Sequence, residues 1–308
     1  MSSAAPPTPD PLPSVWPLGV FASIDAGYGV HLDVARQLTV PTMHLHAPHQ
    51  TPRIRATADA FRRRIDDLGM RVSVVFAGFD GESYADIPTV RQTVGLAPPA
   101  TRDARLDDLR GIIDFTGMLG VSATGLHVGF VPHNPADPEF TALVGAVRKV
   151  CDYAAAQSIA IHLETGQEPA DVLVAFLEAV DRPNLFVNFD PANMILYGCG
   201  EPLAALKAVR RYVRSVHCKD ARWSDRPGET WGEETPLGSG DVDFPAYLAT
   251  LAGLGYRGPL TIEREISQEP ERQQAEIAQA VGLLTRLREE TLREHSLAEN
   301  TLPRKHSS

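Results

Sequence analysis

Eight times along the chain, a short β-rich apolar run gives way to a segment whose apolar residues recur at helical spacing. The runs are Leu18–Ile24, Thr42–Ala47, Arg71–Phe79, Thr124–Val131, Ile159–Glu164, Leu185–Asp190, Val213–Lys219 and Pro259–Arg264. Near-continuous apolar strands need cover on both faces, and a parallel sheet flanked by helices supplies it. Between the runs, Phe140, Leu143, Val144, Val147 and Val150 make one apolar stripe, and Val172, Leu173, Phe176, Leu177 and Val180 make another. Gly69, Gly120 and Gly255 stand directly before strands, where a left-handed residue ends a helix and returns the chain to the sheet. Eight such units predict an α/β fold closed into a (β/α)8 TIM barrel, in a single domain. An open doubly wound sheet is the competitor. It would carry G-x-G-x-x-G after its first strand, and GVFASIDAGYG spaces its glycines differently.

The barrel is expected over residues 16–300, with no Pro/Ser-rich break long enough to be an interdomain linker. The first 13 residues carry five prolines, and 1–15 are expected to form a disordered leader rather than a signal peptide. Residues 301–308 are expected to be a disordered tail. No run of 18 apolar residues occurs, so no membrane span is expected. A net charge of −10 disfavours a nucleic acid partner, which calls for an excess of Lys and Arg over a face. Cys151, Cys199 and Cys218 lie far apart and are odd in number, so no disulfide framework is written here. A reducing, cytoplasmic compartment is expected.

The chemistry concentrates at the ends of the last four strand runs, in IAIHLETGQEP, LFVNFDPANM, VRSVHCKDA and GPLTIERE. They offer Glu164, Asp190, His217 and Glu263. In a barrel all strand C-termini open on one face, so residues spread over a hundred positions converge. Three carboxylates and an imidazole suit one divalent ion, Mn2+ foremost, with Mg2+, Co2+ or Zn2+ as alternatives. The competing explanation is that each charge merely caps a strand where it meets water.

At these residues the sequence resembles the sugar phosphate isomerase/epimerase family of xylose isomerase-like TIM barrels, part of the AP endonuclease 2 superfamily. The resemblance covers most of residues 16–290. It implies that Glu164, Asp190, His217 and Glu263 are the metal ligands. It also implies a small sugar substrate and, as is common in the family, a homodimer. Endonuclease IV is a distant member with three zinc ions and extra histidine ligands. Here Asn193 stands at one of those positions and TPLGSGDVDF lacks another, which favours a mononuclear site.

The resemblance places further residues at the substrate. His127 matches a position at the pocket wall, and His46 matches better than His44, which shares its strand parity. Asn193 replaces a histidine that helps hold substrate in many sugar epimerases. Glu168 corresponds loosely to a carboxylate that binds hydroxyls, and Arg222 to a loop arginine. Lys219 shares parity with His217 and is expected near the site, against the alternative of a solvated loop charge. His162 reads as core or as support for a ligand, and Glu265 as an alternative to Glu263. Gly238 and Gly240 offer backbone N–H groups that would suit a phosphate or merely form a turn before an Asp243 helix cap. Cys218 should face away from His217, which argues against a Cys/His pair.

The expected activity is a metal-dependent isomerase or epimerase acting on a small keto sugar or hydroxy-ketone through an enediolate, with Glu164 and Glu263 as the acid/base pair. An inosose dehydratase-like lyase, a non-catalytic sugar- or metal-binding barrel and an endonuclease IV-like enzyme are the alternatives.

Overall fold

The computed structural model describes residues 15–25, 27, 29–266 and 268–301. The expected leader and tail lie outside these residues except for Val15 and Thr301, the latter closing the last helix. Ten strands occur among the described residues: β1 Leu18–Ser23, β2 Thr42–His46, β3 Arg71–Ala77, β4 Ala123–Leu126, β5 Ala160–Glu164, β6 Leu185–Phe189, β7 Val213–Cys218, β8 Asp220–Arg222, β9 Glu233–Thr235 and β10 Leu260–Ile262. Eight of them, in the order β1-β10-β7-β6-β5-β4-β3-β2, pair in parallel and close a barrel. These are the eight runs expected from the sequence.

Several ends differ from expectation. The fourth run, expected to reach Val131, stops at Leu126 as β4. Beyond it the Val128 carbonyl accepts N–H groups from Leu96 and Ala97, so a neighbouring loop takes the place of a sheet partner. β10 ends at Ile262, which leaves Glu263 one residue past the strand with its N–H still donated to the Cys218 carbonyl.

The helices form the outer layer. Pro138–Ala155 buries Phe140, Leu143, Val144, Val147 and Val150, the whole stripe read from its periodicity. Gly69, Gly120 and Gly255 adopt φ of 67°, 74° and 70° as expected. A Cβ on Gly120 would meet nothing within 4 Å, so backbone conformation rather than space selects glycine there.

Most of the core lies between strands and helices. A second, smaller cluster of Phe21, Val74, Phe76 and Ala123 lies apart from it, on β1, β3 and β4. Gly125 on β4 makes room for it: a Cβ there would sit 2.6 Å from the Phe76 ring. Phe76 consequently lies 5.2 Å, centroid to centroid, from His217, under the mouth where the ligand candidates meet.

The antiparallel pair β8 and β9 adds to the expected strands. Its organiser is the buried carboxylate of Asp220, which accepts N–H groups from Gly238 (2.8 Å), Gly240 (2.9 Å) and Val242 (3.1 Å). Those glycine N–H groups are therefore committed to the protein, and the phosphate-binding alternative for Gly238 and Gly240 is withdrawn. The Asp243 cap is present, its side chain accepting from the Ala246 N–H at 3.0 Å.

Candidate metal centre

Parallel pairing brings the ends of β5, β6, β7 and β10 to one mouth of the barrel. Glu164 is the last residue of β5, and His217 lies one residue before the end of β7. Asp190 follows β6 directly and caps the helix Pro191–Tyr197, accepting the Asn193 N–H at 2.9 Å. The short connection fixes the carboxylate at the rim.

The four side chains converge. His217 Nδ1 lies 2.8 Å from Glu164 Oε1, 3.0 Å from Glu263 Oε2 and 3.5 Å from Asp190 Oδ2. One donor atom from each residue falls within 4.8 Å of all the others. Bonds of about 2.1 Å to an octahedral ion put adjacent donors roughly 3 Å apart and opposite donors roughly 4 Å apart. The quartet fits such an ion. The buried Asp190 Oδ2 supports this, because apart from its ion pair with His217 at 3.5 Å it has no hydrogen-bond partner in the protein, an expensive arrangement unless a cation completes it.

The electrostatics describe a site built around positive charge. Burial alone would push the His217 pKa down, but Glu263 and Glu164 outweigh it and hold it well above the usual imidazole value. Burial lifts Asp190 to about 6, partly offset by His217 and Lys219. Burial would also raise Glu263, yet His217 and Lys219 carry it well below the usual carboxylate range. A divalent ion among these carboxylates would take over the role of the imidazolium proton and release it.

Lys219 belongs to the same assembly. Its ammonium is buried, 3.5 Å from Glu263 Oε2 and from Asn193 Oδ1, and 3.8 Å from Glu234 and Glu265. Burial opposes its charge, but Glu263 and Glu234 prevail and raise its pKa. The alternative of a solvated loop lysine does not hold. His127 Nδ1 lies 3.1 Å from the Gln167 amide nitrogen, which donates to it, so His127 Nε2–H faces Glu164 Oε2 at 3.3 Å. Asn193 donates from Nδ2 to Glu164 Oε1 at 3.3 Å, so its amide braces the first carboxylate.

The remaining expected residues are less closely joined. His46 donates from Nδ1 to its neighbouring Ala47 carbonyl at 2.8 Å and stacks on His49, while burial lowers its pKa to about 4. Glu168 accepts the Val131 N–H at 3.1 Å, and burial raises it to about 8, so it is a protonated acid at neutral pH. Arg222 is exposed on β8 and donates to the Ser239 carbonyl at 2.8 Å. Of the two glutamates at the last strand, Glu263 joins the group, while the Glu265 side chain is 74% exposed. His162 pairs with Ser215 at 2.8 Å, below the site, and Cys218 is buried outside the quartet.

Two contributors escaped the sequence, and a third was ranked below its neighbour. His44, the poorer match of its pair, lies 2.9 Å from His217, and its shared parity with His46 was the available signal. Gln167 carries no motif. Glu234 enters only through the unforeseen β8–β9 pair, where it also holds Arg264 at 2.6 Å.

The model of the xylose isomerase-like TIM barrel family matches residues 32–287. The chain belongs to this family. An L-ribulose 3-epimerase from Methylomonas sp. (strain DH-1) is 33% identical over 131 residues, 39% of this chain and 40% of that protein. The match thus spans less than half of this curated relative. A xylose isomerase domain protein from Planctomyces limnophilus has a solved structure at 54% identity and TM-score 0.88, covering 91% of this chain and 99% of that one. A xylose isomerase-like TIM barrel protein from Mycobacterium smegmatis, solved in complex with magnesium, shares the fold at TM-score 0.62 and 19% identity, covering 88% of this chain and 97% of that one. No helix among the described residues is long and apolar enough to cross a membrane.

Proposed function

We propose that this protein is a divalent-metal-dependent epimerase or isomerase acting on a small keto sugar or hydroxy-ketone. The observation that carries the proposal is the convergence of Glu164, Asp190, His217 and Glu263 on one buried point. The 3-epimerase relative and the magnesium complex of a fold neighbour support it. An Mn2+ or Mg2+ ion held by these four residues would polarise a substrate carbonyl and its neighbouring hydroxyl, lowering the cost of an enediolate.

The chain supplies the proton transfers. Glu164 on β5 and Glu263 after β10 are separated in the sheet by β6 and β7, so they reach the mouth from well-separated parts of the rim. One carboxylate removes the proton from the carbon beside the carbonyl, and the other returns a proton to the opposite face. His127 Nε2–H steadies Glu164 at Oε2, and Lys219 steadies Glu263 at Oε2. His46, Asn193, protonated Glu168 and Arg222 are assigned to the substrate's hydroxyl groups.

The test begins with metal. Protein stripped with chelator and titrated with Mn2+ should bind about one ion per chain, and Asp190→Asn combined with His217→Ala should abolish binding. The loaded protein is then screened on keto sugars in heavy water. The expected product is an epimer or isomer carrying deuterium on the carbon next to the carbonyl. Absence of metal binding overturns the proposal. A product free of solvent deuterium restricts the two glutamates to holding metal.

A further inference from the structure

We infer that His44 is a positioning residue that fixes the tautomer and orientation of the metal ligand His217; the inference rests on the metal-centre reading above. His217 presents Nδ1 to the three carboxylates, so its lone pair for a metal is on Nδ1 and its ring proton must sit on Nε2. That Nε2–H points to His44 Nδ1 at 2.9 Å, with both rings completely buried. His44 therefore accepts through Nδ1 and carries its own proton on Nε2.

The surroundings leave the ligand little choice. Phe21 lies edge-on to the His217 ring at 5.8 Å, and Phe76 packs against both imidazoles at 5.2 and 5.3 Å. These rings offer no acceptor. His44 Nε2 is itself buried without a hydrogen-bond partner, so the hydrogen bond to His217 is what the polar end of this side chain achieves. β2 and β7 are separated by β1 and β10 in the barrel, so the pair spans the interior and ties two distant strands at the ligand.

A metal-bound histidine commonly donates its second N–H to a carboxylate or a backbone carbonyl. A neutral imidazole in that role orients the ligand without adding a fourth negative charge beside three buried carboxylates. The charge balance of the site is thereby left to the metal and Lys219.

Two measurements test this. In protein labelled with 15N-histidine and loaded with diamagnetic Mg2+, nitrogen–proton correlation spectra should show both His44 and His217 as Nε2–H tautomers. His44→Leu keeps bulk but removes the acceptor, and should weaken Mn2+ binding by about 10–100-fold. His44→Asn, whose Oδ1 superimposes on the lost Nδ1, should bind close to wild type. An Nδ1–H tautomer at His44, or His44→Leu binding Mn2+ as tightly as wild type, overturns the inference. If His44→Leu fails to fold, the tautomers in the wild-type protein decide. Wild-type protein that binds no metal instead overturns the reading of the centre itself.

Discussion

Replacing Glu168 with glutamine should change how the stability of this protein depends on pH. In the folded chain burial raises the Glu168 carboxyl from 4.5 to about 8, against the lowering effect of the Val131 N–H it accepts. In the unfolded chain the same group ionises near its ordinary value. Between those two values the unfolded state holds fewer protons than the folded state, so the folded form loses stability as pH rises. Each unit corresponds to about 1.4 kcal/mol, so the step from pH 5 to pH 8 withdraws up to about 4 kcal/mol through this one group. A glutamine side chain cannot ionise, yet its carbonyl oxygen can still accept the Val131 N–H. Urea unfolding at pH 5, 6, 7 and 8, with chelator present so that metal linkage does not contribute, should show Glu168→Gln gaining on wild type at roughly 1 kcal/mol per unit. A gap that stays constant with pH would refute the reasoning. It would mean that Glu168 is already ionised in the folded protein and finds a cation or water that the fold does not reveal.

Gly120→Ala places a Cβ at φ 74° with no steric contact, and should lower stability by about 1–2 kcal/mol from backbone strain alone, leaving Mn2+ affinity unchanged in a titration. Asp220→Ala strands the N–H groups of Gly238, Gly240 and Val242, and should cost at least about 3 kcal/mol in urea unfolding. Glu164→Gln and Glu263→Gln should each slow turnover by roughly 10²-fold or more, with metal content measured in parallel to separate proton transfer from lost binding. Abasic-site DNA incubated with metal-loaded protein should remain uncut on a denaturing gel, because Asn193 braces Glu164 where a further zinc ligand would be needed.

The strand and helix periods are written in stretches of roughly ten residues, and local patterning of that kind survives into the fold because each element must bury its own apolar face. The Phe140–Val150 stripe, the left-handed glycines and the order of eight barrel strands were therefore legible in the sequence. So were the chemical types at the four strand ends, since a parallel barrel gives every strand C-terminus the same destination. Distances and pairings were not. The contact between His44 and His217 joins residues 173 apart in sequence, and only barrel closure brings them to 2.9 Å. Strand parity with His217 placed Lys219 near the site, but Glu263, Glu234 and Asn193 enclose it only in the folded chain. The glycines of LGSGDVDF are bound to Asp220 by a turn whose partner lies 18 to 20 residues upstream. The sequence determined which elements form and which functional groups reach the mouth. The tertiary structure decided which groups touch and which carboxyls keep their protons, because burial and charge pairing are set by neighbours that no local pattern specifies.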